Sequence, residues 1–256
     1  MTKPNVLILR APGTNCDIET AYAFELAGGS AARIHVNRLL EDPTLPDGFQ
    51  ILCFPGGFSF GDDVASGRIL ATTIRHHLSD TIRRFRDAGK LVLGICNGFQ
   101  ILIKSGILIA DDEEGPQATL TWNKSGVYTD RWTRLTADAD TRCVFLKGAT
   151  NLYLPVAHAE GRFAARNDAV LDRLEKEGRL ALRYAAEDNP NGAVRNVAGV
   201  CDESGRIFGL MPHPERHIDA TQHPRWTRLP KSERRTPAET AGDGFLLFQN
   251  AIRYFE

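Results

Sequence analysis

Hydrophobic residues in the first half of the chain fall into short apolar runs that alternate with amphipathic stretches of helical spacing. The apolar runs predict strands at residues 6–9, 32–36, 50–54 and 91–95. The amphipathic stretches predict helices at residues 18–27, 69–88 and 98–104. Asn15 or Asp17 is expected to cap the first helix. This alternation predicts βαβ units, and hence an α/β fold with a mostly parallel sheet and helices on both faces.

The second half of the chain is richer in strand patterns. Short, often alternating runs predict strands at residues 120–122, 128–135, 152–155, 180–184, 197–201 and 207–211. A short helix is expected at residues 170–177, and a last helix at residues 245–255 carries an apolar stripe that packs onto the sheet. The sequence has no internal repeat, low-complexity tract or obvious linker, so we predict a single domain over residues 1–256.

Residues 217–244 form a polar excursion within that domain, with three prolines and several charged clusters. This composition predicts a solvated surface loop. Long loops can also be functional, so a lid or a partner-docking segment is the alternative interpretation.

The net charge, the apolar segments and the cysteines of the chain exclude several classes of protein. The formal net charge is -1, which gives no reason to expect a nucleic-acid or anionic-membrane partner. The N-terminal residues lack the apolar core of a signal peptide, and no segment reaches the roughly 18 apolar residues of a spanning helix. The five cysteines are scattered without a C-x-x-C pair, so neither a disulfide framework nor a zinc site is suggested. We expect reduced thiols and a cytoplasmic location.

The most informative stretch of the chain is Leu-Val-Leu-Gly-Ile-Cys-Asn-Gly-Phe-Gln at residues 91–100. An apolar strand runs into Cys96, which has glycines two positions away on each side, and a helix pattern follows. This spacing is similar to a nucleophile elbow with cysteine in place of serine. A thiol on such a turn lies at a helix N-terminus, which stabilises negative charge on the sulfur. A buried cysteine on a glycine-rich turn is the alternative, because short motifs occur by chance.

A cysteine nucleophile needs a base and a group that orients the base. The strand pattern at residues 207–211 ends at a proline, and His213 follows directly. The His-x-Glu spacing lets Glu215 accept a hydrogen bond from the imidazole and fix its tautomer. On its own, this histidine would more often be structural.

Acyl transfer through a thiolate also needs backbone N–H groups that stabilise an oxyanion. One candidate donor is the N–H of Asn97, directly after the nucleophile. The second would come from the glycine-rich turn at residues 55–62, where glycines let N–H groups point into a site. Such a turn can also bind phosphate.

Together, the motifs at residues 55–62, 96–100 and 212–216 resemble those of class I, triad-type glutamine amidotransferases. One branch of this family consists of the glutaminase subunits of phosphoribosylformylglycinamidine synthase. The chain resembles that branch in three further segments, at residues 11–17, 155–162 and 183–199. Phenylalanine at position 99, where many class I enzymes carry histidine, is typical of this purine branch. The polar excursion is longer and more charged than the resemblance leads us to expect.

The resemblance implies a flavodoxin-like domain and assigns roles by residue. Cys96 would attack the carboxamide of glutamine, His213 would act as base and then acid, and Glu215 would orient His213. The oxyanion donors would be Gly57 and Asn97, with the Phe58 N–H as a substitute for Gly57. Gln100 and Phe58 would help to bind the substrate.

The resemblance also implies partners. Ammonia would pass to a large synthetase subunit that binds ATP and formylglycinamide ribonucleotide, together with a small accessory subunit. The chain has no G-x-x-x-x-G-K-[ST] run, so we expect no cofactor in this chain, and ATP and Mg²⁺ are expected to bind the synthetase. His158 and Glu160 carry a further hypothesis, in which they border the ammonia exit or the synthetase interface. Otherwise they form a polar surface turn.

Two other functions fit the same residues. A different hydrolase, such as a dienelactone-hydrolase-like or γ-glutamyl-hydrolase-like enzyme, could use the cysteine elbow without a partner. A non-enzymatic flavodoxin-like module would leave Cys96 inert. A trial of glutamine against ester and γ-glutamyl peptide substrates separates the first alternative from a glutaminase. Reaction of Cys96 with a glutamine-analogue electrophile separates the second.

Overall fold

A computed structural model describes residues 3–228 and 241–256. The strands are β1 (Asn5–Arg10), β2 (Ser30–His35), β3 (Ile51–Phe54), β4 (Leu91–Ile95), β5 (Ala118–Thr121), β6 (Thr129–Ala137), β7 (Asn151–His158), β8 (Arg162–Ala165), β9 (Leu182–Tyr184), β10 (Val197–Cys201) and β11 (Ile207–Leu210). The α-helices are α1 (Asp17–Leu26), α2 (Val36–Glu41), α3 (Arg68–Thr73), α4 (Ser79–Asp87), α5 (Asn97–Lys104), α6 (Asp168–Lys176) and α7 (Phe245–Arg253).

Nine of these strands form one sheet in the order β2-β1-β3-β4-β11-β10-β9-β6-β7. The first five strands of that order are parallel to one another. The remaining four continue the sheet through antiparallel pairs, and β5 and β8 form a separate antiparallel pair. The predicted α/β class is confirmed, and the β-rich second half extends the parallel sheet at one side.

The direction in which successive strands are added across the sheet reverses at β1, because β2 lies on one side of β1 and β3 and β4 lie on the other. Right-handed crossovers therefore place α1 and the helices between β3 and β4 on opposite faces of the sheet. α7 packs beside α1, where Phe24 and Phe248 meet edge to face at 4.9 Å. In such sheets the crevice at this reversal, at the carboxyl ends of the strands, is where ligands bind.

The core explains the strand patterns. Residues 51–54 and 91–95 are fully buried, as expected for central strands covered by helices on both faces. The predicted long helix is a helical run from Arg68 to Asp87 that contains a π-helical turn at Ile74–Leu78. Ile74 and Leu78 are both buried within that turn. The predicted apolar stripe of the last helix is also core, since Phe248 and Ile252 are buried.

Several local predictions were wrong. The residue before α1 is Cys16, not Asn15 or Asp17, and no side chain caps this helix. Asp17 instead binds the guanidinium groups of Arg10 and Arg33. The predictions also missed β8 and α2, the latter of which starts at Val36.

The polar excursion is only partly a solvated loop. His217 and Ile218 are buried, and the Gly242 N–H donates to the Ile218 carbonyl at 2.9 Å. Asp219 and Ala241 form a bridge that closes the stem of the excursion. The rest of the excursion, residues 229–240, lies outside the described residues. Among the helices that the structure describes, none has the length and apolar character to cross a bilayer.

Candidate active site

Cys96 lies between β4 and α5, at the carboxyl edge of the sheet. Its backbone has φ 51 and ψ −106, a strained conformation for a residue with a side chain. Hydrogen bonds on both sides hold it there, from its own N–H to the Leu210 carbonyl at 2.8 Å and from the Gln100 N–H to its carbonyl at 3.1 Å. The predicted nucleophile elbow is therefore present in the backbone.

The two glycines of the motif are required by steric fit. A Cβ on Gly98 would lie 1.9 Å from the carbonyl oxygen of Phe54, and a Cβ on Gly94 would lie 2.8 Å from the backbone of Gly98. The helix thus starts in contact with β3 and β4, and the glycines make this approach possible.

His213 and Glu215 follow β11, the strand next to β4. His213 Nδ1 lies 2.6 Å from Glu215 Oε1, and both side chains are almost completely buried. The two residues form the pair predicted from the His-x-Glu spacing. Within the described part of the chain, His213 Nε2 and Glu215 Oε2 make no hydrogen bond.

The electrostatics of this pair favour a protonated imidazole. Burial by itself lowers the pKa of His213, but the negative charge of Glu215 and the nearby sulfur atoms of Cys96 and Cys16 raise this pKa well above its usual range. The Cys96 thiol lies 3.7 Å from the Ala157 carbonyl, to which it donates. The Cys96 thiol therefore points to the backbone of β7.

The two predicted oxyanion donors both lie beside Cys96. Asn97 is the first residue of α5, and its N–H has no partner within the helix. Gly57 has φ 143, which favours glycine, and its N–H has no acceptor among residues 3–228 and 241–256. The substitute role for Phe58 was wrong, because the Phe58 N–H donates to the Gly13 carbonyl at 2.9 Å.

Gln100 is buried and held at both ends of its amide. Its Nε2 donates to the Glu160 carbonyl at 2.8 Å, and its Oε1 accepts from Asn97 Nδ2 at 2.9 Å. The Asn97 side chain also accepts from the Ser59 N–H at 3.1 Å, which ties the loop after β3 to the elbow. The substrate-binding role of Gln100 stays a prediction, and the structure adds a bracing role.

A groove passes over Cys96. A cavity of about 130 Å³ opens on one side and a cavity of about 30 Å³ on the other. Both are lined by Gly57, Phe58, Cys96 and Ala157, so the two cavities share the nucleophile in their wall, and together they are called the groove. The larger cavity is completed by residues to which the sequence prediction gave no role in the site, although some lie in its motifs: Asn15, Cys16, Tyr128 and Arg216.

His158 and Glu160 do not form a polar surface turn, because both are buried. His158 lines the smaller cavity, and burial together with the nearby His213 lowers its pKa to about 4, which keeps its ring neutral. Glu160 forms a buried ion pair with Lys104 at 3.4 Å. The hypothesis that they border an ammonia exit stays a prediction, but neither side chain offers an exposed surface to a partner.

Comparisons with known proteins identify the family of this chain. The family model described as the CobB/CobQ-like glutamine amidotransferase domain matches residues 3–255. The fold is also similar to that of a glutamine amidotransferase from Thermotoga maritima, with a TM-score of 0.57 at 17% identity, a likeness of fold alone. The chain belongs to the CobB/CobQ-like glutamine amidotransferase family.

Within this family the chain groups with the PurQ subunits of phosphoribosylformylglycinamidine synthase. The PurQ subunit of Dehalococcoides mccartyi is 47% identical over 263 residues, covering 99% of this chain and 98% of the relative. The PurQ subunit of Archaeoglobus fulgidus is 34% identical over 275 residues, covering 98% and 97%. A chain in the structure of PurLQS from Thermotoga maritima is 30% identical, with a TM-score of 0.76 and full coverage of both chains.

Proposed function

We propose that this chain is the glutaminase subunit of a phosphoribosylformylglycinamidine synthase, with Cys96, His213 and Glu215 as its catalytic residues. The observation that carries the proposal is the convergence of three elements on one groove. Cys96 lies on a strained elbow, the His213–Glu215 pair follows the neighbouring strand, and Gly57, whose N–H has no acceptor among the described residues, lines the same cavity. The similarity to PurQ subunits supports the choice of glutamine as substrate.

The first half of the reaction transfers the glutamyl group to sulfur. Proton transfer from the Cys96 thiol to His213 gives a thiolate and an imidazolium, the state that the charges around His213 favour, and the thiolate attacks the carboxamide carbon of glutamine. The amide oxygen becomes an oxyanion that accepts hydrogen bonds from Gly57 and Asn97. His213 then donates the proton to the leaving nitrogen, so ammonia departs and a γ-glutamyl thioester remains on Cys96.

The second half releases glutamate. His213 takes a proton from water as the water oxygen attacks the thioester carbon, and the same donors stabilise the second oxyanion. The C–S bond breaks, and the proton returns from His213 to the sulfur. Glu215 keeps the imidazole oriented through both halves and stabilises its positive charge.

The ammonia would be used by a partner. By analogy with the PurLQS assembly, a large synthetase subunit and a small accessory subunit would bind this chain. The synthetase would use ATP and Mg²⁺ to convert formylglycinamide ribonucleotide to formylglycinamidine ribonucleotide. This chain would need no cofactor of its own. A cytoplasmic location is supported by five free cysteines.

Replacement of the nucleophile tests the proposal. In the assembled complex, Cys96→Ala should abolish synthesis from glutamine and leave synthesis from added ammonium salt within about twofold of wild type, because only the glutaminase step needs the thiol. Cys143→Ala is the matched control, since Cys143 is buried away from the groove. Use of glutamine by the Cys96→Ala complex would overturn the assignment.

A further inference from the structure

Cys16, His213 and Glu215 form a cluster of metal-binding side-chain types in the wall of the groove. One ligand atom from each residue lies within 4.8 Å of the other two, and all three residues are buried. Cys16 follows β1, whereas His213 and Glu215 follow β11. The sequence has no zinc-site spacing because Cys16 lies far along the chain from His213 and Glu215.

The donor set selects the kind of metal. A thiolate, an imidazole and a carboxylate are the side chains that Zn²⁺ binds, whereas Mg²⁺ and Ca²⁺ prefer oxygen alone. We propose that Cys16, His213 and Glu215 bind a Zn²⁺ ion, with a fourth position open to the groove, and that the bound ion switches the glutaminase off. The inhibitory part rests on the proposed function, since it requires His213 to be the base.

The local backbone leaves room for the ligands to converge. Gly56 lies under them, and a Cβ at this position would be 2.8 Å from His213 Cε1 and 3.0 Å from Cys16 Sγ. His213 Nδ1 and Glu215 Oε1 are 2.6 Å apart and share a proton. Two zinc bonds of about 2.0 Å at a tetrahedral angle separate the ligand atoms by about 3.3 Å, so the pair would open by roughly 0.7 Å.

Charge around the cluster permits a dication. A Cys16 thiolate and the Glu215 carboxylate together balance Zn²⁺, and the thiol proton and the shared proton leave to solvent. Arg216 is the neighbouring cation: its Nη2 donates to Cys16 Sγ at 3.2 Å, and its Nε donates to Glu19 Oε1 at 3.0 Å. Glu19 therefore offsets the charge that Arg216 brings to the site.

A Zn²⁺ ion bound to this cluster would prevent His213 from acting as a base. Zn²⁺ would replace the proton that Glu215 accepts from His213 and withdraw electron density from the imidazole. The ring could then no longer take the proton of Cys96. Inhibition by Zn²⁺ should be reversible with a chelator, because no covalent bond to the nucleophile forms.

Cobalt binding to the full chain tests the site without relying on activity. Co²⁺ occupies zinc sites and gives a thiolate-to-metal absorption band. We expect the band, with one ion per chain, in wild type, in Cys96→Ala and in the control Cys143→Ala. Cys16→Ala and Cys16→Ser should lose the band and weaken Zn²⁺ binding by more than about 100-fold.

The variants also separate the two proposals. Cys96→Ala has no nucleophile, so it reports metal binding whether or not the chain is a glutaminase. A band that persists in folded Cys16→Ser would place the metal on another thiol, and one that disappears in Cys96→Ala would place it on the nucleophile; either result would overturn the site. Absence of the band in wild type would overturn it as well. Circular dichroism spectra confirm that each variant is folded.

Discussion

At the scale of single residues, the His213–Glu215 pair is already formed in the groove, whereas the Cys96 thiol does not point to His213. The His213–Glu215 contact of 2.6 Å is short and fully buried. The Cys96 thiol instead donates to Ala157, and His213 Nε2 makes no hydrogen bond to any described residue. Catalytic hydrogen bonds often tighten only when substrate binds, so this arrangement is compatible with the proposed chemistry.

Glu215→Gln should change the pH profile of the glutaminase. The carboxylate of Glu215 is one of the charges that raise the pKa of His213, and its loss lowers that pKa. Because the leaving ammonia takes its proton from the imidazolium, activity falls as pH rises through the pKa of His213. The alkaline limb of kcat/KM should therefore move to lower pH, and kcat should fall by about 10²–10⁴-fold.

The measurement uses the assembled complex with a chelator present, so that bound metal does not affect the profile. Glu19→Gln is the matched control, because Glu19 binds Arg216 at the edge of the same cavity. An unchanged alkaline limb in Glu215→Gln would mean that Glu215 does not govern the proton on His213.

The sequence predicted the triad residues because each lies in a short motif next to a strand end. It could not predict the role of Cys16, whose contact with His213 depends on β1 and β11 lying in one sheet. Nor could it show that the Phe58 N–H is unavailable to an oxyanion, because this N–H donates to the Gly13 carbonyl in the loop after β1. Contacts between distant loops carry no local signal.

At the scale of elements, the elbow depends on how closely α5 approaches β3. Gly98→Ala would place a Cβ 1.9 Å from the Phe54 carbonyl oxygen, so the helix must shift and the nucleophile with it. We expect a loss of stability of about 3 kcal/mol or more, together with loss of glutamine hydrolysis. Urea unfolding and a glutaminase assay measure the two effects.

Gly48→Ala is the control for this substitution. A Cβ on Gly48 meets no atom within 4 Å, and its φ is not in the left-handed region. Its free energy of unfolding should stay within about 0.5 kcal/mol of wild type. If Gly98→Ala were equally harmless, the steric requirement for the elbow would be wrong.

The elements that the sequence missed have weak local signals. Helix α2 starts at a β-branched valine, and its cap is the His35 ring, which accepts from the Asn37 N–H at 3.2 Å. Strand β8 has only four residues and pairs with β5, which is distant along the chain. The buried parallel strands were predicted well because their apolar runs are unbroken.

At the scale of the whole molecule, we expect the isolated chain to be a weak glutaminase. The thiol of Cys96 must turn from Ala157 toward His213, and contacts made by the synthetase would favour this turn. Addition of the purified synthetase and accessory subunits should raise kcat by at least about 10-fold, as measured by glutamate release. Full activity without these subunits would contradict the prediction.

The position of β11 has a consequence for the chain as it is made. β11 is inserted between β4 and β10, so one edge of β4 stays unpaired until residues near the C-terminus leave the ribosome. Such non-local pairing is slow, and open edges invite aggregation. If Cys96 and His213 act as proposed, a nascent chain cannot hydrolyse glutamine until His213 has emerged, long after Cys96.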